Sequence, residues 1–423
     1  MVGSVGGGGG SGPGGSAMVW DPEVLEYRFS PSHPMDPVRL ELTVALARLL
    51  GVLDGVELVR PSGFGDHELR RVHSDDYVDA VRLAGRVGPV RAVEVPVLAA
   101  YGLGNDDNPV FAHIHEAAAS IVASSLAGAQ AIASGSATRA VNIAGGMHHA
   151  MRAHASGFCI YNDAAIAISW LLDNGFDRVA YIDVDAHHGD GVQAAFWNDP
   201  RVLTVSLHED PRWLWPGTGF PSELGGPEAR GTAVNVPVPA NCPDRLWLRA
   251  FHAVVPSVVR AFRPQLIVSQ CGCDSHATDP LTDLALSVDG QRAAILAMRA
   301  LADEVCDGRW LSLGGGGYQV VDVVPRIWTH LIGATLGRDV APTTPIPDEW
   351  FGVLDAYPKG RLPASEHVPT TMGDGQDATF TPWEPGVSDP GDKSTDAVAD
   401  RFIARARSAV FPLHDLDPED PRD

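Results

Sequence analysis

The chain has 423 residues, 45% of them hydrophobic, enough apolar material for one large α/β domain with appendages or for two smaller domains. Acidic residues number 53 against 31 basic, a formal net charge of −22 with no Lys/Arg-rich run as a local exception. That balance excludes nucleic acid as an expected partner and favours cationic or neutral ones.

Residues 1–17, MVGSVGGGGGSGPGGSA, are a Gly/Ser-rich leader. Small residues cannot offset their ordering entropy by burial, so this segment is expected to be flexible, with the folded part opening at Met18. From residue 18 to 345 short apolar strands alternate with amphipathic helices. In chain order the pattern predicts a helix over Glu116–Ser134, a strand over Ala140–Ala144 and a helix over Ala164–Asn174. Strands follow over Val179–Asp185 and Val202–Leu207, then a helix over Arg245–Arg263, a strand over Leu266–Gln270, a helix over Gly290–Cys306 and a strand over Trp310–Leu313. Runs such as VAYIDVD and QLIVSQ are apolar on both faces, as strands covered by helices on each side require. The expected fold is an α/β/α three-layer sandwich with a mostly parallel central sheet, its chemistry at the carboxyl ends of the strands. Residues 346–423 are rich in Pro and acidic residues and read as irregular wrapping with one docked helix, Ala397–Val410.

Five cysteines (Cys159, Cys242, Cys271, Cys273 and Cys306) with no CxxC argue against a disulfide framework. No apolar run is read as reaching the ~20 residues of a membrane span, and no basic-then-apolar secretory pattern opens the chain. The expectation is a cytoplasmic chain with no membrane partner; oligomeric state is not legible.

The segment Tyr181-Ile-Asp-Val-Asp-Ala-His-His-Gly-Asp190 carries the strongest chemical signal. Asp183, Asp185 and His187 are spaced by two, so an extended backbone would point them the same way at the end of a buried strand. Burying two carboxylates and an imidazole costs several kcal/mol unless a cation compensates, and this donor set suits zinc, iron or manganese. Ordinary strand-end polarity is the bland reading, but it explains neither the apolar strand leading in nor the glycines at 189 and 191. A third ligand is expected from Asp274, directly after the strand Leu266–Gln270, with His276 and Asp279 as competitors. Three protein ligands leave a coordination position open, the arrangement of a catalytic rather than a structural metal. His148 and His149 follow another strand in a Gly-rich turn and offer a general base and a general acid, with Asp183 and Asp190 free to orient them. The run Gly314-Gly-Gly-Gly-Tyr318 lacks the Lys and Ser/Thr of a phosphate loop. Its glycines would instead let the backbone pass close to a metal and present the Tyr318 hydroxyl to an oxyanion.

Taken in order, GGMHHA, SGFCIYND, IDVDAHHGDG, VSLHED, WPGTG, VNVP, GCDSHATDP and GGGGY resemble the histone deacetylase superfamily, with its arginase/deacetylase-like fold, over residues 20–335. HPMDPVRL and LGNDDNPVF make the chain most similar to the bacterial acetoin-utilisation branch (AcuC-type). The resemblance implies a zinc-dependent lysine deacetylase, with iron as an alternative metal, acting on an acetylated protein, peptide or polyamine. It implies zinc on Asp185, His187 and Asp274, acid–base work by His148 and His149 backed by Asp183 and Asp190, and carbonyl polarisation by Tyr318. It further implies an acyl-lysine tunnel lined by Gly157, Phe158, Trp215 and Leu281. Asp107 would hold the substrate backbone at the rim, and Arg39 would sit in a channel behind the site. A structural potassium ion is implied at Asp183, Asp185, His187, Ser206 and the Leu207 carbonyl. Trp215 departs from the Phe of many relatives. Two other readings compete: an arginase-type hydrolase with two manganese ions, which needs further carboxylates, and a non-catalytic acyl-lysine reader, which would have lost a catalytic position.

Overall fold

The computed structural model describes residues 15–362, 369–386 and 391–423. Among these residues eight strands form one sheet: Ser16–Val19 (β1), Leu58–Val59 (β2), Arg139–Asn142 (β3), Val179–Asp183 (β4), Val202–Glu209 (β5), Ala233–Val238 (β6), Leu266–Gln270 (β7) and Trp310–Leu313 (β8). Their order is β2-β1-β3-β8-β7-β4-β5-β6, and every pairing is parallel. Parallel strands need crossovers, and the helices supply them in two layers. Helices Ile114–Ala133 and Asp163–Asp173 pack together on one face. Val38–Leu49, Val324–Leu336, Val288–Cys306 and Asp244–Phe262 pack in sequence across the other. The result is the expected α/β/α sandwich, with β4 and β7 buried along their whole length.

Several elements differ from the sequence expectation. Residues 1–14 of the expected flexible leader lie outside the described residues, but Ser16 and Ala17 belong to β1, paired with Arg139 and Ala140 of β3. Small side chains do not prevent a strand when the neighbouring backbone supplies its hydrogen bonds. β4 stops at Asp183 instead of Asp185, because the Asp185 N–H turns back to Asp183 Oδ1 (3.2 Å) and the His187 N–H to Asp185 Oδ1 (3.0 Å). These are local Asp turns competing with the ladder. Helix Ile114–Ala133 reaches 20 residues with a mean hydropathy of 1.2, a membrane-length apolar run that alternating Ala, Ser and Gly disguise in the sequence; 72% of that stretch is buried inside the fold.

The tail wraps the body. Its main helix, Thr395–Val410, is capped by Ser394 and lies against β6 and helix Asp244–Phe262, where Asp396 pairs with Arg245 (2.5 Å). Further up, Asp374 accepts from Arg326 (2.7 Å), His276 (3.0 Å) and the Val288 N–H (2.8 Å), tying the tail to the loop that follows β7.

Candidate active site

Four strands end on one row, and β5 runs through it. Asn142 of β3, Leu313 of β8, Gln270 of β7, Asp183 of β4 and Ser206 of β5 are register partners in turn. The loops that follow β3, β8, β7 and β4 therefore open at one edge of the sheet, and every residue with a chemical role in the sequence reading except Arg39, Asp107, Trp215, Ser206 and Leu207 sits in one of them or at one of its ends.

At the centre, donor atoms of Asp185, His187 and Asp274 lie within 4.8 Å of one another. His187 Nδ1 stands 3.1 Å from Asp185 Oδ1 and 3.0 Å from Asp274 Oδ2. The two carboxylates are 1% and 0% exposed, and neither is paired with Lys or Arg among the described residues. Burial opposes charge on His187, yet the two carboxylates outweigh it and push its pKa up to about 10. Two buried anions that recruit even an imidazolium are a site built for a cation, and two oxygens plus one imidazole nitrogen are a fitting donor set for a divalent metal. The remaining lone pairs are held: Asp185 Oδ2 accepts from Gln270 (2.7 Å) and the Gly316 N–H (2.9 Å), and Asp274 Oδ1 from the Ala186 N–H (2.9 Å). Glycine is required here by space. A Cβ on Gly272 would fall 2.0 Å from Asp185 Oδ2, and one on Gly316 2.3 Å from Asp274 Oδ2.

The histidine pair stands beside this cluster with ring centroids 3.9 Å apart. His148 Nδ1 meets Asp183 Oδ2, and His149 Nδ1 meets Asp190 Oδ1, each at 2.7 Å. Both carboxylates foreseen as orienting groups thus occupy those positions, fixing which ring nitrogen remains for other work. Burial opposes charge on His148, but Asp183 and Asp185 outweigh it and raise its pKa to about 9. Burial, followed by the positive charges of His148 and His187, drives His149 well below the ordinary histidine range. Sequence reasoning did not find the Tyr181 hydroxyl, which donates to Asp183 Oδ2 (2.7 Å), nor Asp163, which accepts from the Gly146 and Met147 N–H groups and shapes the turn before the histidines. Asp163 lay in plain view in SGFCIYND; only its distance along the chain hid the partnership.

A cavity of about 280 Å³ leads in from the surface, lined by Asp107, His149, Gly157, Phe158, His187, Leu214, Trp215, Leu281 and Tyr318. Seven residues named as tunnel, rim or chemistry from sequence thus share one space with His187 of the Asp185–His187–Asp274 cluster. The Tyr318 ring meets the edge of Phe158 (5.7 Å) and Trp215 meets His149 (4.6 Å). Gly157 makes room for that tryptophan, since a Cβ there would lie 2.6 Å from both Trp215 Cη2 and His149 Cδ2. Burial, then the negative charges of Asp274 and Asp185, raise the Tyr318 hydroxyl well above the usual phenol range, so it stays a proton donor. Arg39 does not line the cavity: it is buried behind the glycine loop, donating to the carbonyls of Gly315 (2.9 Å) and Gly317 (3.0 Å). Ser206 and Leu207 lie in β5, with Ser206 beside Asp183 in the sheet and its hydroxyl 2.9 Å from His208 Nδ1. The competitors for the third ligand are engaged elsewhere, His276 with Thr278 and Asp374, and Asp279 with two backbone N–H groups.

Comparison with known proteins agrees with this geometry. A family model described as Histone deacetylase domain matches residues 33–335. The chain is 40% identical over 357 residues to the acetoin utilization protein AcuC of Bacillus subtilis, covering 84% of this chain and 91% of that protein. It is 37% identical to the AcuC proteins of Staphylococcus xylosus and Staphylococcus aureus, covering 82% of this chain and 89% and 88% of theirs.

Proposed function

The chain belongs to the histone deacetylase family, and from that premise we propose that it hydrolyses the amide of acetyl-lysine in proteins or peptides, releasing free lysine and acetate. The observation that carries this reading is that one cavity is lined by His187 of the Asp185–His187–Asp274 cluster, by His149 of the carboxylate-backed histidine pair and by the Tyr318 phenol.

Zinc, or iron in its place, would be held by Asp185, His187 and Asp274, and a divalent ion there supplies Lewis acidity toward an amide carbonyl and toward water. The chain's own groups do the rest. The cavity takes the extended lysine stem between aromatic walls, with Asp107 at its mouth to accept from the substrate backbone. His148 and His149, each tied through Nδ1, keep Nε2 for proton removal from water and proton delivery to the leaving amine. Tyr318 donates its hydroxyl to the oxyanion that develops on the carbonyl. Potassium at Asp183, Asp185, His187, Ser206 and the Leu207 carbonyl belongs to the proposal through family resemblance, as does a role in acetoin utilisation through the names of the relatives. A cytoplasmic setting is supported by five buried cysteines, all free.

The test pairs metal analysis with turnover. Asp185→Ala and Asp274→Ala should each lose bound divalent metal and activity on an acetyl-lysine peptide together. Stoichiometric metal retained in both variants would sink the ligand set. Turnover of acetylpolyamines but not of peptides would move the substrate to a small amine.

A further inference from the structure

Asp279 is buried five residues after Asp274, close to the cavity, and nothing in the hydrolysis scheme uses it. Its two carboxylate oxygens are spent separately: Oδ1 accepts from the Leu281 N–H (3.1 Å) and Oδ2 from the Tyr318 N–H (2.9 Å). Leu281 and Tyr318 both line the cavity but follow different strands, β7 and β8. Tyr318 itself ends a run of glycines, two of which, Gly315 and Gly317, have φ of +149° and +137°. Glycines bring little stiffness of their own, so the position of the phenol depends on what grips the loop. Arg39 grips it from behind through the Gly315 and Gly317 carbonyls, and Asp279 grips it at Tyr318 itself.

We infer that Asp279 is a positioning residue for the proposed hydrolysis, a two-acceptor strut that sets the Tyr318 hydroxyl against the substrate carbonyl and holds Leu281 in the cavity wall. The inference rests on Tyr318 being the carbonyl-polarising group. The role needs a carboxylate, because two separate N–H donors require two acceptor oxygens. An asparagine offers one oxygen and turns an N–H₂ group toward the second donor.

The experiment is a double-mutant cycle of Asp279→Asn with Tyr318→Phe, on the metal-loaded full chain and one acetyl-lysine peptide. Misplacing a catalytic group by about 1 Å can cost up to ~10²-fold, so Asp279→Asn should lower kcat roughly ten- to a hundredfold, with a smaller change in KM and full metal content. In the Tyr318→Phe background the same change should have little further effect, because the hydroxyl being positioned is gone. An equal loss of kcat in both backgrounds overturns the inference while leaving the hydrolytic reading intact, and so does loss of metal on Asp279→Asn, which would make Asp279 a ligand. Tyr318→Phe turning over at the parent rate also overturns the inference, by removing the phenol from the mechanism, whereas a metal-loaded parent that does not turn over the peptide overturns the hydrolytic reading. Should Asp279→Asn fail to fold, Asp279→Glu keeps two acceptors one methylene out of place, and additivity in its cycle is equally decisive.

Discussion

Tyr318→Phe removes one hydroxyl and leaves the ring's contact with Phe158 in place, so it isolates the donor from the packing. Loss of a single oxyanion donor is expected to lower kcat about 10²–10³-fold. His149→Ala removes a proton-transfer group whose Nδ1 is already committed to Asp190 (2.7 Å), and should cost about 10²–10⁴. In both variants metal content should match the parent, because neither residue belongs to the Asp185–His187–Asp274 cluster. Measuring kcat, KM and metal on one acetyl-peptide checks all three expectations, and a fully active Tyr318→Phe with metal bound would remove the phenol from the mechanism. At this scale the sequence was readable where the members of the cluster sit two residues apart or within a few residues of a strand end, as Asp185, His187 and Asp274 do. It was unreadable where a partner is a backbone group or comes from far along the chain. Asp279 looked like a third-ligand competitor because its real partners, the N–H groups of Leu281 and Tyr318, carry no signature in side-chain identity.

The elements that present these residues explain which boundaries were legible. β7 and β8 lie where the apolar runs placed them, since such strands read as unbroken hydrophobic stretches. β1 and β2, of 4 and 2 residues, are too short to show a period. β6 was missed because it contains Pro237, which is tolerated only because β6 is the edge of the sheet. The loop after β7 and the tail segment tied to it make one prediction each. Gly272→Ala should push the Asp185 carboxylate off its Gln270 and Gly316 partners and weaken divalent-metal binding on the scale of ~10–100-fold seen when a ligand's support is lost. Dialysis against a graded chelator reads that out, and unchanged retention would mean the loop shifts instead. The second concerns Asp374 of the tail. Burial works to raise its carboxyl, but hydrogen bonds and charge from His276 and Arg326, with the Val288 N–H, hold it well below the usual range. A depressed folded-state pKa contributes stability that is fully present above the unfolded value of about 3.9 and is lost as pH falls through the folded value. Asp374→Asn should therefore destabilise by ~2 kcal/mol or more at neutral pH, with the difference from the parent shrinking below about pH 4. Denaturant melts at pH 7 and pH 3 test this, and a pH-independent difference would assign the effect to packing.

Charge is a property of the whole molecule, and it bears on which acetylated amines reach the cavity. A net charge of −22 over the whole chain produces an attractive field for cations, so association with a positively charged substrate should be steered. No Lys or Arg lines the cavity, and Asp107 in its lining adds to the field. Steering acts on encounter, so it should appear in kcat/KM and not in kcat. It should also be screened: the Debye length falls from about 30 Å at 0.01 M salt to about 10 Å at 0.1 M and about 3 Å at 1 M. For an acetyl-lysine peptide flanked by free lysines, kcat/KM is expected to fall steadily over that range. A peptide of equal length flanked by glutamates should start lower and rise, and a neutral one should stay nearly flat. Double-stranded DNA, sharing the protein's sign, should show no affinity that weakens with salt. If the lysine-rich and glutamate-rich peptides respond to salt identically, the acidic surface plays no part in substrate choice, and selection must lie within the cavity, where Trp215, Phe158 and Leu281 surround the stem.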